Sequence, residues 1–178
     1  MILHKKHSKT TKFITNGSFV KFDTTHIKIA LKTFLDFQEK AKVGHWENIS
    51  KGENKTFYKA FLVEEFKNML KKYPIKYTML DEKEIPFGFA FFTKNVFSEK
   101  SIDLQFGFKN NDYFLNSAML NIFNEMLDEI RKEHGIENVY ACLGQRKKQE
   151  KYVKTMLTVF NAEIVTKDTF GRLLVRFK

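Results

Sequence analysis

Apolar and polar positions follow two different rhythms along this chain. A short strand at Ser18–Phe22 comes first, and then the apolar positions fall three and four residues apart. Ile27, Leu31, Phe34 and Leu35 share one helical face, with Asp23 and Thr24 as N-caps before it. Tyr58, Phe61, Leu62, Phe66, Met69 and Leu70 share the face of a second helix, which must stop before Pro74 because proline restricts Tyr73. The connection between them, 41 to 55, is polar and holds Gly44, His45, Trp46 and Gly52. Three strands follow: Ile75–Leu80, a turn at Asp81–Lys83, then Ile85–Thr93 and Ser101–Phe108, the last two joined as a hairpin through Lys94–Lys100. In the third, alternation puts Ile102, Leu104, Phe106 and Phe108 on one face and Asp103, Gln105 and Gly107 on the other.

The helical period then returns at Leu115, Met119, Ile122, Phe123, Met126 and Ile130, starting near Asn116 and Ser117 and ending at Gly135. Glu137–Leu143 is a strand. Lys147–Phe160 is a helix with Val153, Met156, Leu157 and Phe160 inward, and Ala162–Asp168 and Arg172–Phe177 are strands around Gly171. The order β-α-α-β-β-β-α-β-α-β-β predicts a mixed α/β (α+β) domain.

Composition narrows this picture. With 178 residues, 20 of them Phe, and only two prolines, the chain can bury a real core as one domain. One cysteine, Cys142, excludes a disulfide framework and a cysteine zinc site, and His4, His7 and His26 have no metal-ligand spacing, so no metal is expected. No apolar run reaches the length of a membrane span and the start lacks a signal-peptide core, so a soluble, cytoplasmic protein without membrane insertion is expected. The net charge is +10. Lys5, Lys6, Lys9 and Lys12 mark residues 1–13 as a basic N-terminal tail before a single domain at 14–178. Arg146, Lys147, Lys148, Lys151 and Lys154 form a second basic cluster. Such clusters suit nucleic acid, anionic headgroups or a phosphorylated cofactor, and a lysine-rich solvated surface explains the same counts.

Over residues 18 to 178 the element order resembles the GNAT fold, that of a large N-acetyltransferase superfamily. Ile85-Pro86-Phe87-Gly88-Phe89-Ala90-Phe91 is similar to its third strand, and Asp103 to Phe108 with the Met-rich helix to its fourth strand and third helix. Asn138-Val139-Tyr140-Ala141, the helix ending Thr158-Val159-Phe160, and Ala162-Glu163-Ile164-Val165 are similar to its last elements. The resemblance implies a mixed central sheet with helices on both faces. It also implies an acyltransferase that moves an acetyl or related acyl group from an acyl-CoA to an amine acceptor.

Site residues follow from the same resemblance. Asp103 takes the place of a fourth-strand carboxylate base, and the N–H groups of Phe106, Gly107 and Phe108 would orient the thioester where the strands splay. The family's phosphate loop, rich in glycine so that backbone N–H groups can close on oxygen, corresponds to Lys109–Ser117, which has none. Asn110, Asn111, Asn116 and Ser117 are the residues left to serve there, with Arg146, Lys147 and Lys148 as cations beside the phosphates. The family's tyrosine acid falls on Thr155, so Tyr152 is the candidate donor to the thiolate. His45 borders the acceptor pocket as a second candidate base. Two other readings stay open: a GNAT-like protein that binds nucleic acid or modifies its bases, and a GNAT-like binding protein without catalysis.

Overall fold

The computed structural model describes residues 11–41, 54–96, 98–143, 153–154, 157–169 and 171–178. These build a seven-stranded sheet in the order β1-β2-β3-β4-β5-β7-β6. The strands are β1 (Gly17–Lys21), β2 (Ile75–Asp81), β3 (Pro86–Lys94), β4 (Ser101–Lys109), β5 (Asn138–Leu143), β6 (Ala162–Lys167) and β7 (Leu173–Phe177). All neighbours are antiparallel except β4 and β5, which run parallel. Helices α1 (Ile27–Ala41) and α2 (Asn54–Lys72) pack on one face and α3 (Ser117–His134) on the other. Of the helix expected at Lys147–Phe160, the described residues Val153, Lys154 and 157–159 are helical.

The sheet therefore separates two cores. On the α1–α2 side the phenylalanines meet one another: Phe34 lies 5.6 Å from both Phe66 and Phe108, and Phe89 lies 5.4 Å from Phe108. Phe61, expected in this stripe, is 40% exposed. The buried row runs through Tyr58, Leu62, Phe66 and Met69, and Phe61 sits about a quarter turn off its centre. On the other side Met119, Ile122, Phe123, Met126, Leu127 and Ile130 of α3 meet β2, β3, β5 and β7, with Val153 and Phe160 packed against them.

Helix ends follow from local chemistry. The Asp23 carboxylate accepts from Thr25 N–H at 2.7 Å and caps a 3-10 turn, Thr24–His26, that leads into α1. Asn116 caps α3 by accepting from Met119 N–H at 3.1 Å, so the helix starts at Ser117 and Leu115 lies outside it. Gly135, with φ +64°, closes it at the left-handed position where a side chain is disfavoured.

Two expectations need correction. Ile102, Leu104, Phe106 and Phe108 do not share a face. Phe91 pairs with Phe106 and Phe92 with Leu104, so Gln105 is an extra residue, a β-bulge. Ile102 and Leu104 join the α3-side core, whereas Phe106 and Phe108 join the α1–α2 side. The tail boundary at 13 also moves. Lys12 N–H donates to the Asp112 carbonyl at 2.7 Å and the Lys12 carbonyl accepts from Phe114 N–H at 2.9 Å, so Lys12 and Phe13 belong to the folded body.

Candidate active site

The site begins where β4 and β5 part. They pair from Ser101 opposite Asn138 to Leu104 opposite Ala141, yet β4 continues to Lys109 and β5 to Leu143. The bulge at Gln105 falls at the point of separation, and a bulge bends its strand and raises the local twist. A cavity of about 440 Å³ fills the resulting wedge. It passes between the two cores, with Phe89 and Phe108 on one side and Met119 and Phe123 on the other. The strand walls contribute Gly107 and Cys142. The lining is mostly apolar, and its polar side chains come from Gln38, Gln105, Lys109 and Cys142.

Backbone direction gives the wedge its polarity. Asn110 N–H donates to the Phe87 carbonyl at 2.7 Å, which fixes which residues of β4 bond toward β3. Antiparallel alternation then turns Phe106 and Phe108 toward β3 and turns the N–H and C=O of Gly107 toward the wedge. An N–H aimed into an apolar cavity is suited to a carbonyl oxygen that gains negative charge.

The segment from β4 to α3 flanks the wedge and is tightly bonded. The Asn110 side chain accepts from Asp112 N–H at 2.9 Å, and its carbonyl accepts from Tyr113 N–H at 3.2 Å. Asn111 donates to the Asp36 carbonyl at 3.2 Å, and Asn116 donates to the Ile14 carbonyl at 2.6 Å. Ser117 is the exposed first residue of α3. Tyr113 is buried, stacks on Phe87 at 5.3 Å, and donates its hydroxyl to Asp81 at 2.8 Å. Burial, then the Asp81 carboxylate, hold the Tyr113 hydroxyl well above its usual range. The bond to Asp81 and the stack on Phe87 tie the loop before α3 to the β2–β3 end of the sheet.

Of the residues marked out from the sequence, Gly107, Phe106 and Phe108 line the wedge, but only the Gly107 N–H faces it. Those of Phe106 and Phe108 are spent on β3 and cannot orient a thioester as expected. Asn110, Asn111, Asn116 and Ser117 flank the wedge. Asp103 lies on β4 before the bulge and is not among the lining residues. Its two carboxylate oxygens accept from the Asn95 amide at 3.0 and 3.2 Å. His45, Tyr152, Arg146, Lys147 and Lys148 lie outside the described residues. Sequence reasoning missed Gln105, whose role as a bulge no local pattern signals, and Cys142, which strand alternation alone placed without a cavity to face. Among the described residues no cluster of ligating side chains could hold a metal, and no helix is long and apolar enough to cross a membrane.

A mixed seven-stranded sheet, covered on both faces and split between its two parallel strands, is the fold of the GNAT acetyltransferases. Neither a family model nor a curated protein matches the sequence. Solved structures do match. PaiA N-acetyltransferase from Thermoplasma acidophilum, in complex with coenzyme A, has a TM-score of 0.66 over 92% of this chain and 99% of its own, at 9% identity. A GNAT-family acetyltransferase from Listeria monocytogenes has a TM-score of 0.59 over 90% of this chain and 93% of its own, at 9% identity. The putative acetyltransferase yncA from Salmonella typhimurium, with acetyl-CoA, has a TM-score of 0.56 over 92% and 94%, at 11% identity. At such identity the likeness establishes the fold, and chemistry must be argued from the wedge.

Proposed function

We propose that this protein transfers an acyl group from a thioester, acetyl-CoA or a related acyl-CoA, to an amine. The observation that carries the reading is the wedge itself, an apolar cavity between β4 and β5 with the Gly107 N–H turned into it. Two neighbours of the same fold are complexes with coenzyme A or acetyl-CoA, which supports the same donor class.

The chain's residues fit the acyl end of such a donor. A thioester carbonyl placed against Gly107 N–H has a donor for the oxyanion that forms when the amine nitrogen attacks carbon. The C–N bond forms, the C–S bond breaks, and the thiolate leaves along the wedge toward α3. The apolar lining excludes water, which strengthens the N–H···O interaction and limits hydrolysis of the thioester. Asp103 is the proposed acceptor of the amine proton, relayed through water because the carboxylate stands off the cavity lining. His45 is the next candidate for that role, and Tyr152 is the proposed donor to the departing thiolate.

A titration with acetyl-CoA followed by thermal unfolding tests the reading. At about 100 times its dissociation constant, a ligand that binds only the folded state stabilises it by about 2.7 kcal/mol. A rise in the unfolding temperature that saturates with donor is the expected result. No shift up to millimolar acetyl-CoA or acetyl-pantetheine removes the acyltransferase reading.

A further inference from the structure

We infer that the acyl group this protein takes is a medium-length hydrocarbon chain rather than acetyl, held in the buried end of the cavity beside Gly107. This rests on the acyl-transfer reading above and narrows its donor to thioesters of apolar acids.

The cavity has two unlike ends. Gln105, Gly107 and Cys142 are exposed where the strands part, so a thioester and its arm can enter there. Away from that opening the lining is Met79, Ala90, Met119, Phe123 and Phe177, all buried, with Ala90 at 0% exposure. All five belong to the α3-side core, so this end runs under the sheet, past β3 to β2. It is closed and apolar.

Gly107 opens the way into it. This glycine lies between Phe106 and Phe108, which face α1 and α2, so a side chain here would face α3. Its φ is not left-handed, and a Cβ would meet only Leu104, at 3.7 and 4.0 Å, an ordinary contact. Neither backbone conformation nor crowding calls for glycine, and glycine weakens the interior of a strand. What it supplies is space. Ala90, its partner on β3, fills little of that space. Beyond Ala90 the Met79 side chain closes the end by lying across Gly88, where a Cβ would stand 2.5 Å from its methyl carbon.

Protein interiors are packed as densely as organic crystals, and apolar space left empty forfeits contacts. An apolar cavity of about 150 Å³ already holds a benzene-sized guest. This one measures about 440 Å³. An acetyl group with its carbonyl at Gly107 N–H adds one methyl carbon beyond it and leaves the closed end unfilled. From β4 to β2 is two strand spacings, about 10 Å, which a zigzag chain with bonds of about 1.5 Å crosses in about six to eight carbons.

The test measures binding of acetyl-, butyryl-, hexanoyl- and octanoyl-CoA to the full chain by calorimetry. A fully buried methylene is worth about fourfold in affinity, so hexanoyl-CoA should bind at least about tenfold tighter than acetyl-CoA. Ala90→Leu fills the closed end and should weaken hexanoyl-CoA at least about fivefold more than acetyl-CoA. Met79→Val shortens the side chain that closes the end and should raise octanoyl-CoA affinity relative to hexanoyl-CoA, which serves if Ala90→Leu does not fold. Hexanoyl-CoA binding no tighter than acetyl-CoA overturns the inference and leaves acyl transfer standing. A gain with chain length that neither variant changes overturns it too, because the chain then lies elsewhere. Failure of every acyl-CoA to bind overturns acyl transfer itself, and the inference with it.

Discussion

Asp103 shows what a single residue's place in a strand can and cannot tell. Its position between Ile102 and Leu104 marks it from the sequence as a carboxylate flanked by buried neighbours. That its oxygens are held by Asn95, in the loop after β3, depends on how the β3–β4 hairpin closes and has no sequence signature. A water-relayed base and a hairpin clasp make different demands. Asp103→Asn keeps the shape and removes the basicity. In single-turnover assays with an amine acceptor, we expect a rate loss of about 10²-fold or more with donor affinity within about twofold. A variant that keeps its rate while unfolding at lower temperature shows Asp103 to be the clasp alone.

At the scale of elements, the helices were legible because their apolar period outlasts local irregularity. Asn116 and Gly135 mark both ends of α3 by chemistry that needs no tertiary context. The strands were legible in position but not in facing. Gln105 in β4 and Phe87 in β3 are both extra residues, and each reverses the faces of the residues beyond it. A bulge adds no residue type that a pattern search detects, so alternation read straight through it fails.

The link between the β2–β3 turn and the loop before α3 lies at this scale too. Asp81 accepts from Lys83 and Ile85 N–H, both at 2.9 Å, and from the Tyr113 hydroxyl. Burial pushes its carboxyl up, but the Ile85 N–H, the Tyr113 hydroxyl and the Lys83 N–H together hold it below the usual range. A carboxyl depressed in the folded state stabilises the fold above its unfolded pKa, and that stability is lost as pH falls through the folded value. Asp81→Asn should therefore be less stable than wild type at pH 7 by about 1–2 kcal/mol, with the gap closing below about pH 4. Urea midpoints at pH 7 and pH 3 measure it, and an equal gap at both pH values contradicts the assignment.

At the scale of the whole molecule, the element order carried the middle of the sheet, β2 to β5, and not the place of β7 between β5 and β6. The short connections from β2 to β3 and from β3 to β4 allow only antiparallel neighbours, and the long helical connection through α3 permits the one parallel pair. What the order could not give is where that pair separates, because the separation is set by the bulge. Nor could it show that residues near the N-terminus bond the loop before α3, since a basic run reads as a solvated tail until its backbone partners are seen. The net charge of +10 adds a general attraction for anionic donors, which high salt removes without touching the wedge.

Amide hydrogen exchange on the full chain, with and without saturating acetyl-CoA, tests the central claim most directly. If the thioester carbonyl meets Gly107 N–H, exchange slows in the peptide spanning Gln105–Lys109 and in the facing end of β5, Ala141–Leu143. The outer strands β1 and β6 lie away from the wedge and should exchange as before. Saturable binding that leaves Gln105–Lys109 unprotected, or that protects other parts of the sheet instead, would contradict catalysis in the wedge.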